Sequence, residues 1–244
     1  MSSVNDWLAL GTVGMTAGSV ILALIGVTMR KEDRHHVYLA MAITLIAATA
    51  YYAMLHNVGD IMVGGVTVQL ARYVDWVVTT PLLLISLISI ALPSGKSKNK
   101  MSLIWAVVGL DVYMIITGVI ASLVNNDTRW YWYAFSCVAL LGVVYMLYGT
   151  IMNESKKVAG KKISQLYTYV ALYLSVLWVA YPVVWYLSGV GVNKISFASE
   201  NYAYAVLDLL AKVGFGIVVL VSVSRLAASA KPKAGESTVE AASK

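Results

Sequence analysis

The sequence predicts an all-α membrane protein, a bundle of seven transmembrane helices. Of its 244 residues, 59% are hydrophobic and only 12% are charged, and the mean hydropathy is +0.75. That composition is too apolar for an ordinary soluble domain. A helix needs about 20 mostly apolar residues to cross a bilayer. Seven segments of this kind fill most of the chain and leave no room for a separate soluble domain: roughly 7–29, 37–57, 69–93, 101–124, 130–152, 163–188 and 202–226.

Taken in chain order, the segments alternate with loops that differ in charge. The loops after the first, third and fifth segments and the tail carry most of the basic residues: Arg30, Lys31, Arg34, Lys96, Lys98, Lys100, Lys156, Lys157, Lys161, Lys162, Arg225, Lys231, Lys233 and Lys244. The other loops hold only Arg129 and Lys194. Because cytoplasmic loops carry the excess of lysine and arginine, we expect an extracellular N-terminus and a cytoplasmic C-terminus in the cell membrane. The basic residues that give the chain its net charge of +6 are divided among four loops, which argues against nucleic acid as a partner.

Residues 1–228 are therefore expected to form one membrane domain, with the lipid bilayer as its partner. Residues 229–244 are small and polar, which predicts a disordered cytoplasmic tail. The first segment is not a signal peptide, because Arg30 and Lys31 follow it rather than precede it. Cys137 is the single cysteine and cannot form an intrachain disulfide. No pattern indicates a metal site or an enzyme.

Five charged residues remain inside the predicted helices: Arg72, Asp75, Asp111, Asp208 and Lys212. Each costs about 2.5–3.5 kcal/mol to insert, so each should pair with another charge or line a polar cavity. Asp208 and Lys212 are one helical turn apart, and Arg72, Asp75 and Thr79 also share one face. A structural salt bridge between two helices would explain a single pair, whereas the whole set favours a charged centre.

The direction of the helices adds a chemical reason for this centre. A buried lysine is a ready Schiff-base amine, and the protonated imine needs a carboxylate counter-ion. In the expected orientation, Asp208 lies one turn outward of Lys212, and Arg72 lies outward of Asp75. Glu200 is further out still. A proton that leaves the lysine nitrogen would thus find acceptors on the extracellular side.

With these residues in view, the sequence resembles the microbial, bacteriorhodopsin-like rhodopsins over essentially the whole seven-helix body. In LDLLAKVGFG, the resemblance identifies Lys212 as the residue that binds all-trans retinal as a protonated Schiff base. In ARYVDWVVTTPLLL, it implies that Asp75 is the primary proton acceptor and counter-ion, Arg72 the gating arginine and Thr79 the hydrogen-bonding partner of the acceptor. Asp208 matches the second counter-ion.

The same resemblance implies a retinal pocket formed by four helices. Its residues are Trp178, Tyr181, Pro182 and Trp185 from LWVAYPVVW, together with Trp76, Thr80, Met114, Gly118 and Ser136. Tryptophan offers large flat surfaces that can enclose a polyene, although ordinary core or interfacial aromatics would look alike. Asp111 matches a protonated aspartate that hydrogen-bonds to the third helix. Tyr51 matches a tyrosine that hydrogen-bonds to the second counter-ion.

The cytoplasmic side departs from the best-known proton pumps. Those pumps carry a carboxylate eleven residues after the acceptor, which is about 16 Å further along the same helix face. This chain has Ser86 at that position. A serine cannot donate a proton as a carboxylic acid does, so reprotonation should depend on water or another group and be slow. Sensors of the family also commonly lack the donor carboxylate.

Other features favour a pump. Glu200 matches one of the two glutamates that release protons outward, although the partner position holds Val190 and a solvated loop charge would look the same. Ala211 precedes the lysine, as in pumps. Chloride and sodium pumps replace the residue at Asp75. We therefore predict a light-driven outward proton pump, with a photosensor that signals through a separate transducer as the alternative.

The resemblance also predicts the assembly of the protein, which we expect to be a homo-oligomer, a trimer or a pentamer. Trp130, Trp132 and Tyr133, at the outer end of the fifth segment, are expected to form an interfacial aromatic belt, although Tyr133 also falls near the ring end of the retinal pocket. The bulk of Tyr133 also argues against a carotenoid antenna.

Overall fold

The computed structural model describes residues 3–93 and 95–229. In this part of the chain, seven helices are long and apolar enough to span a membrane: α1 (Val4–Val27), α2 (Arg34–Leu55), α3 (Leu70–Ala91), α4 (Lys100–Leu123), α5 (Arg129–Val158), α6 (Lys161–Leu187) and α7 (Phe197–Ala228). Successive helices pack side by side, and α7 returns to α1 and closes the bundle. The predicted all-α bundle of seven transmembrane helices is confirmed.

Two helices extend beyond their predicted limits. The predicted segments 130–152 and 202–226 lie inside the longer α5 and α7. Polar residues such as Lys156 and Glu200 continue these helices past the apolar run, so hydrophobicity alone cannot mark where they end. The predicted tail, 229–244, lies outside the described residues except for Ser229, which is helical.

A β-hairpin that the sequence analysis did not anticipate joins α2 to α3. Its antiparallel strands are β1 (Asp60–Val63) and β2 (Val66–Gln69). The two turn residues, Gly64 and Gly65, both have positive φ, 58° and 83°. Two-residue hairpin loops favour glycine because they need such φ values. The hairpin fixes the chain directly before the first turn of α3, where Arg72 lies.

Two of the spanning helices contain a π-helical turn. In α5 it covers Met146–Ile151, and in α7 it covers Leu209–Gly214 and includes Lys212. A π-turn changes the i→i−4 pattern and is frequent at functional sites. Tyrosine hydroxyls of α6 donate to a carbonyl oxygen in each turn, Tyr167 to Leu147 at 2.8 Å and Tyr173 to Leu210 at 2.9 Å. Both irregular turns are thus tied to α6.

The packing of α1 against α2 positions Tyr51. A Cβ atom at position 11 would lie 2.1 Å from Tyr51 Cδ1, much closer than two non-bonded carbon atoms approach. The Tyr51 ring is fully buried and cannot turn aside into solvent. Only glycine at position 11 therefore allows the tyrosine to stay where it is.

This contact gives a prediction about stability. Alanine normally favours a helix by up to about 1 kcal/mol over glycine, yet Gly11→Ala should lower the melting temperature because the methyl group displaces Tyr51. Gly109→Ala is the matched control, since an added Cβ there meets no atom within 4 Å. Thermal unfolding of both variants should show opposite shifts. Equal shifts would contradict the role assigned to Gly11.

Candidate functional site

A lysine lies between two buried carboxylates in the middle of the bundle. Lys212 Nζ of α7 donates a short hydrogen bond to Asp75 Oδ2 of α3 and another to Asp208 Oδ1, at 3.2 Å. The exposed fractions of the three side chains are 2%, 1% and 1%. Buried charges are stable only when paired, so the sequence-predicted grouping of these residues has a physical basis. We call these three residues the lysine centre.

The two carboxylates of the lysine centre differ in their other partners. Asp208 Oδ1 also accepts from Tyr181 Oη at 2.8 Å and from Trp76 Nε1 at 3.2 Å, and its Oδ2 accepts from Tyr51 Oη at 2.8 Å. The expected bond between Tyr51 and Asp208 is therefore present. With four donors in all, the Asp208 carboxylate is strongly stabilised as an anion.

One carboxylate oxygen of Asp75, in contrast, has no hydrogen-bond partner. Asp75 Oδ2 accepts from the lysine, while Oδ1 is buried with no partner. Thr79, expected to bond to this acceptor, donates at 2.8 Å to the main-chain carbonyl oxygen of Asp75. A hydroxyl four residues along a helix reaches that carbonyl readily. Asp75 is thus the less satisfied carboxylate of the pair.

Arg72 lies in the first turn of α3, at the end of the helix that follows the hairpin. Its Nη2 donates to Gln69 Oε1 at 2.8 Å and to Asn201 Oδ1 at 2.7 Å. The guanidinium also lies 4.7 Å from the centre of the Tyr204 ring, a cation–π distance. Sequence reasoning missed these three residues. Helical spacing was the available signal, because Gln69 precedes Arg72 by three residues and Asn201 and Tyr204 precede Asp208 by seven and four.

A cavity with mostly apolar walls lies beside Lys212. Pockets for small ligands are typically concave and lined by apolar and aromatic side chains, with a few polar groups that fix orientation. All nine residues expected in the pocket line this cavity: Trp76, Thr80, Met114, Gly118, Ser136, Trp178, Tyr181, Pro182 and Trp185. Tyr133, expected near the ring end of the pocket, also lines the cavity. Further lining residues were not assigned to it: Tyr73, Leu83, Ile115, Cys137, Leu140, Tyr204 and Ala211. An apolar polyene bearing one aldehyde, which condenses with an amine, fits this combination of walls and a single lysine.

Tyr133 ties α5 to α6 beside the cavity. Its ring stacks on Trp185 with centroids 4.7 Å apart, and its hydroxyl donates to the carbonyl oxygen of Pro182 at 3.1 Å. The expected position near the ring end of the pocket thus describes Tyr133 better than the interfacial belt does.

Tyr51 and Asp111, which the resemblance placed in the cofactor site, lie behind the lining of the cavity. Tyr51 reaches the site through Asp208, and Asp111 through Thr80, whose hydroxyl donates to Asp111 Oδ2 at 2.7 Å. This bond links α3 to α4, as expected. Asp111 Oδ1 has no partner, and no cation pairs with this carboxyl within the described residues.

Ser86 and Glu200 mark the two ends of the predicted path. Ser86 is buried on α3, eleven residues beyond Asp75. Glu200 lies half-buried in the first turn of α7, and its carboxylate accepts no hydrogen bond from the residues that the structure describes. Val190 is buried and contributes its carbonyl oxygen to Arg129. The structure thus places Ser86 and Glu200 on the expected helices, but neither side chain is hydrogen-bonded to the lysine centre.

Comparison with known proteins agrees with this geometry. Residues 3–226 match the family described as bacteriorhodopsin-like protein. A bacteriorhodopsin of Haloterrigena sp. (strain arg-4) is 40% identical over 235 residues, which cover 93% of this chain and 91% of that protein. Among solved structures, the cyanorhodopsin N2098R of Calothrix sp. NIES-2098 is 35% identical with a TM-score of 0.84, and covers 92% of this chain and 97% of its own.

A second solved structure, the light-driven proton pump CsR of Coccomyxa subellipsoidea, is 33% identical with a TM-score of 0.82. The match covers 90% of this chain and 96% of that protein. The chain is therefore a multi-pass membrane protein of the bacteriorhodopsin-like family, whose members are pumps and sensors rather than enzymes and bind retinal through a lysine Schiff base.

Proposed function

We propose that this protein is a light-driven outward proton pump that carries all-trans retinal on Lys212. The observation that carries the proposal is the asymmetry of the lysine centre. One lysine nitrogen touches two carboxylates, of which Asp208 is saturated with donors while Asp75 keeps a free oxygen. Relatives described as a bacteriorhodopsin and as a light-driven proton pump support the same function.

The chain's own side chains hold and orient the cofactor in this proposal. Trp76, Trp178 and Trp185 provide flat apolar walls of the cavity beside Lys212. Retinal, when bound, supplies a light-driven isomerisation that alters the direction and surroundings of the lysine nitrogen. Fixed aromatic walls favour one outcome of that isomerisation, because other shapes would collide with them.

The first proton transfer runs from Lys212 Nζ to Asp75. The short contact between Nζ and Asp75 Oδ2 provides the hydrogen bond that such a transfer needs. Asp208 is a poorer acceptor, because its bonds from Tyr51, Tyr181 and Trp76 favour the charged form. Arg72 then moves outward, and a proton leaves the protein near Glu200.

The return of a proton from the cytoplasm is the slow part of the cycle. It passes Ser86, where a serine stands in place of a carboxylic acid, so water or another group must supply the proton. We expect Ser86→Asp to speed the decay of the state in which Nζ is deprotonated, at neutral and higher pH. Ser86→Thr, which adds no acid, is the matched control. Flash photolysis measures both variants, and an unchanged decay in Ser86→Asp would mean that the donor lies elsewhere.

The orientation and assembly belong to the same proposal. The N-terminus lies outside, the C-terminus in the cytoplasm, and the protein forms a trimer or pentamer in the cell membrane. Large apolar side chains face outward from the helices, among them Val13, Trp105 and Tyr145. Such surfaces require lipid or neighbouring copies of the protein.

A photosensor is the second candidate, and Ser86 is the observation that favours it. A sensor needs no rapid return of the proton and would signal through a separate transducer. The test is the external pH of an unbuffered suspension of cells that express the protein and are supplied with retinal, in light and in darkness. Acidification in light that a protonophore abolishes supports the outward pump. Coloured cells that show no change of pH would reject the pump in favour of the sensor.

A further inference from the structure

Arg72 is a buried cation held by neutral groups. Its Nη2 bonds to two side-chain amides, those of Gln69 and Asn201, and its Nη1 is buried without a partner. No carboxylate lies within ion-pair distance of it in the described part of the chain. Hydrogen bonds to neutral acceptors are weaker than those to carboxylates. The guanidinium can therefore exchange its present partners for a carboxylate at low cost.

A second unpartnered atom lies on the neighbouring hairpin. Asp60 Oδ1 is buried and has no hydrogen-bond partner. Asp60 is directly opposite Gln69 in the β1–β2 ladder. Opposed residues of an antiparallel pair project to the same face, with Cβ atoms about 4.5–5.5 Å apart. The carboxyl group of Asp60 thus lies beside the amide that now holds Arg72.

The charges around Asp60 also point to Arg72. Burial raises the pKa of the Asp60 carboxyl above its ordinary value, and the positive charge of Arg72 opposes that rise. Strand β2 contributes no titratable side chain, and His56 at the end of α2 is exposed and packs on Tyr52. From α7, Glu200 interacts with the guanidinium. Arg72 is accordingly the cation that Asp60 faces.

We propose that Asp60 is the outer carboxylate to which Arg72 moves when Asp75 takes up the proton from Lys212. While Asp75 is charged, the inner carboxylates attract the guanidinium. Once Asp75 is neutral, that attraction weakens and the charged Asp60 becomes the stronger partner. Asp60 is a positioning residue, since it touches neither the cofactor nor the transferred proton. The inference rests on the proposed transfer from Lys212 to Asp75, but it does not require net pumping.

The proposal predicts a change in the rate of that transfer. In Asp60→Asn, Arg72 lacks its outer partner and stays on Gln69 and Asn201, where its positive charge continues to favour the charged form of Asp75. Deprotonation of Lys212 Nζ, followed by flash photolysis at pH 7, should therefore slow by about threefold, the range of a partly screened ion pair. Asp60→Glu should retain the wild-type rate. Asp127→Asn, which removes an exposed aspartate in another loop, is the matched control and should have no effect.

The pH profile provides a readout that a merely structural role would not change. As the pH falls through the raised pKa of Asp60, the wild type loses the charged carboxylate too. The ratio of the wild-type rate to the Asp60→Asn rate should therefore approach one at acid pH. A ratio that stays constant across pH would overturn the proposal.

A double-mutant cycle separates an action through Arg72 from a direct effect of charge on the lysine centre. If Asp60 acts through Arg72, Asp60→Asn should have no further effect on the rate in the Arg72→Gln background. The same slowing with and without Arg72 would overturn the proposal. Absence of light-driven acidification in the wild type would reject the proposed pump alone, because these rates are measured in purified pigment and do not depend on transport.

Discussion

Asp75→Asn is expected to abolish light-driven proton transport and to shift absorption to the red, while the coloured pigment still forms. Asparagine keeps the shape of the side chain but cannot take up the proton from Lys212 Nζ. It also removes the negative charge closest to that nitrogen. The counter-charge would stabilise a protonated imine more in the dark than after excitation, when the positive charge has spread. Its removal would therefore narrow the energy gap and move the absorption band to longer wavelength.

The measurement combines absorption spectra of the purified protein with external pH in suspensions of cells. Asp111→Asn is the informative comparison, since Asp111 is also buried but bonds to Thr80 rather than to the lysine. That variant should shift absorption far less and should still transport protons. Full transport by Asp75→Asn would rule out the proposed mechanism.

Lys212→Ala is expected to remove the visible absorption band altogether. The cavity would keep its apolar walls, but it would contain no amine for a Schiff base. The change also leaves Asp75 and Asp208 buried without the cation between them. Breaking a buried ion pair from one side typically costs about 3–5 kcal/mol, so we expect a marked loss of stability as well as of colour.

Two further variants make this prediction sharp. Lys194→Ala removes an exposed lysine from a loop and should leave colour and stability unchanged. The double variant Lys212→Ala/Asp75→Asn should recover part of the lost stability, because one unpaired charge is removed. Thermal unfolding in detergent measures the stability. A visible band in Lys212→Ala after addition of retinal would show that the cofactor binds elsewhere.

The sequence predicted the members of the site better than their bonds. Charged residues are costly to bury in a membrane, and this cost marked Asp75, Asp208 and Lys212 as members of the site. Helical spacing placed Asp208 and Lys212 on one face of their helix. Which oxygen accepts which proton depends on distances of a few tenths of an ångström. The bond of Thr79 to a main-chain carbonyl and the free oxygen of Asp75 therefore emerged only from the structure.

Neutral residues were missed for a different reason. Gln69 and Asn201 carry no charge, so the cost of burying charges in a membrane does not reveal them, although they hold Arg72. The β-hairpin was missed because the search for long apolar segments treated 58–68 as a connection. The Gly-Gly pair between Val63 and Val66 was the signal available in the sequence.

The π-turn in α7 has a mechanical consequence. The carbonyl oxygen of Leu210, two residues before Lys212, accepts a hydrogen bond from Tyr173 of α6. The backbone that bears the lysine is therefore anchored to a neighbouring helix as well as to its own. In the proposed pump, Lys212 carries the cofactor, so this hydrogen bond would transmit a displacement of α6 to the residue that holds retinal. The same bond would transmit a change at Lys212 to α6.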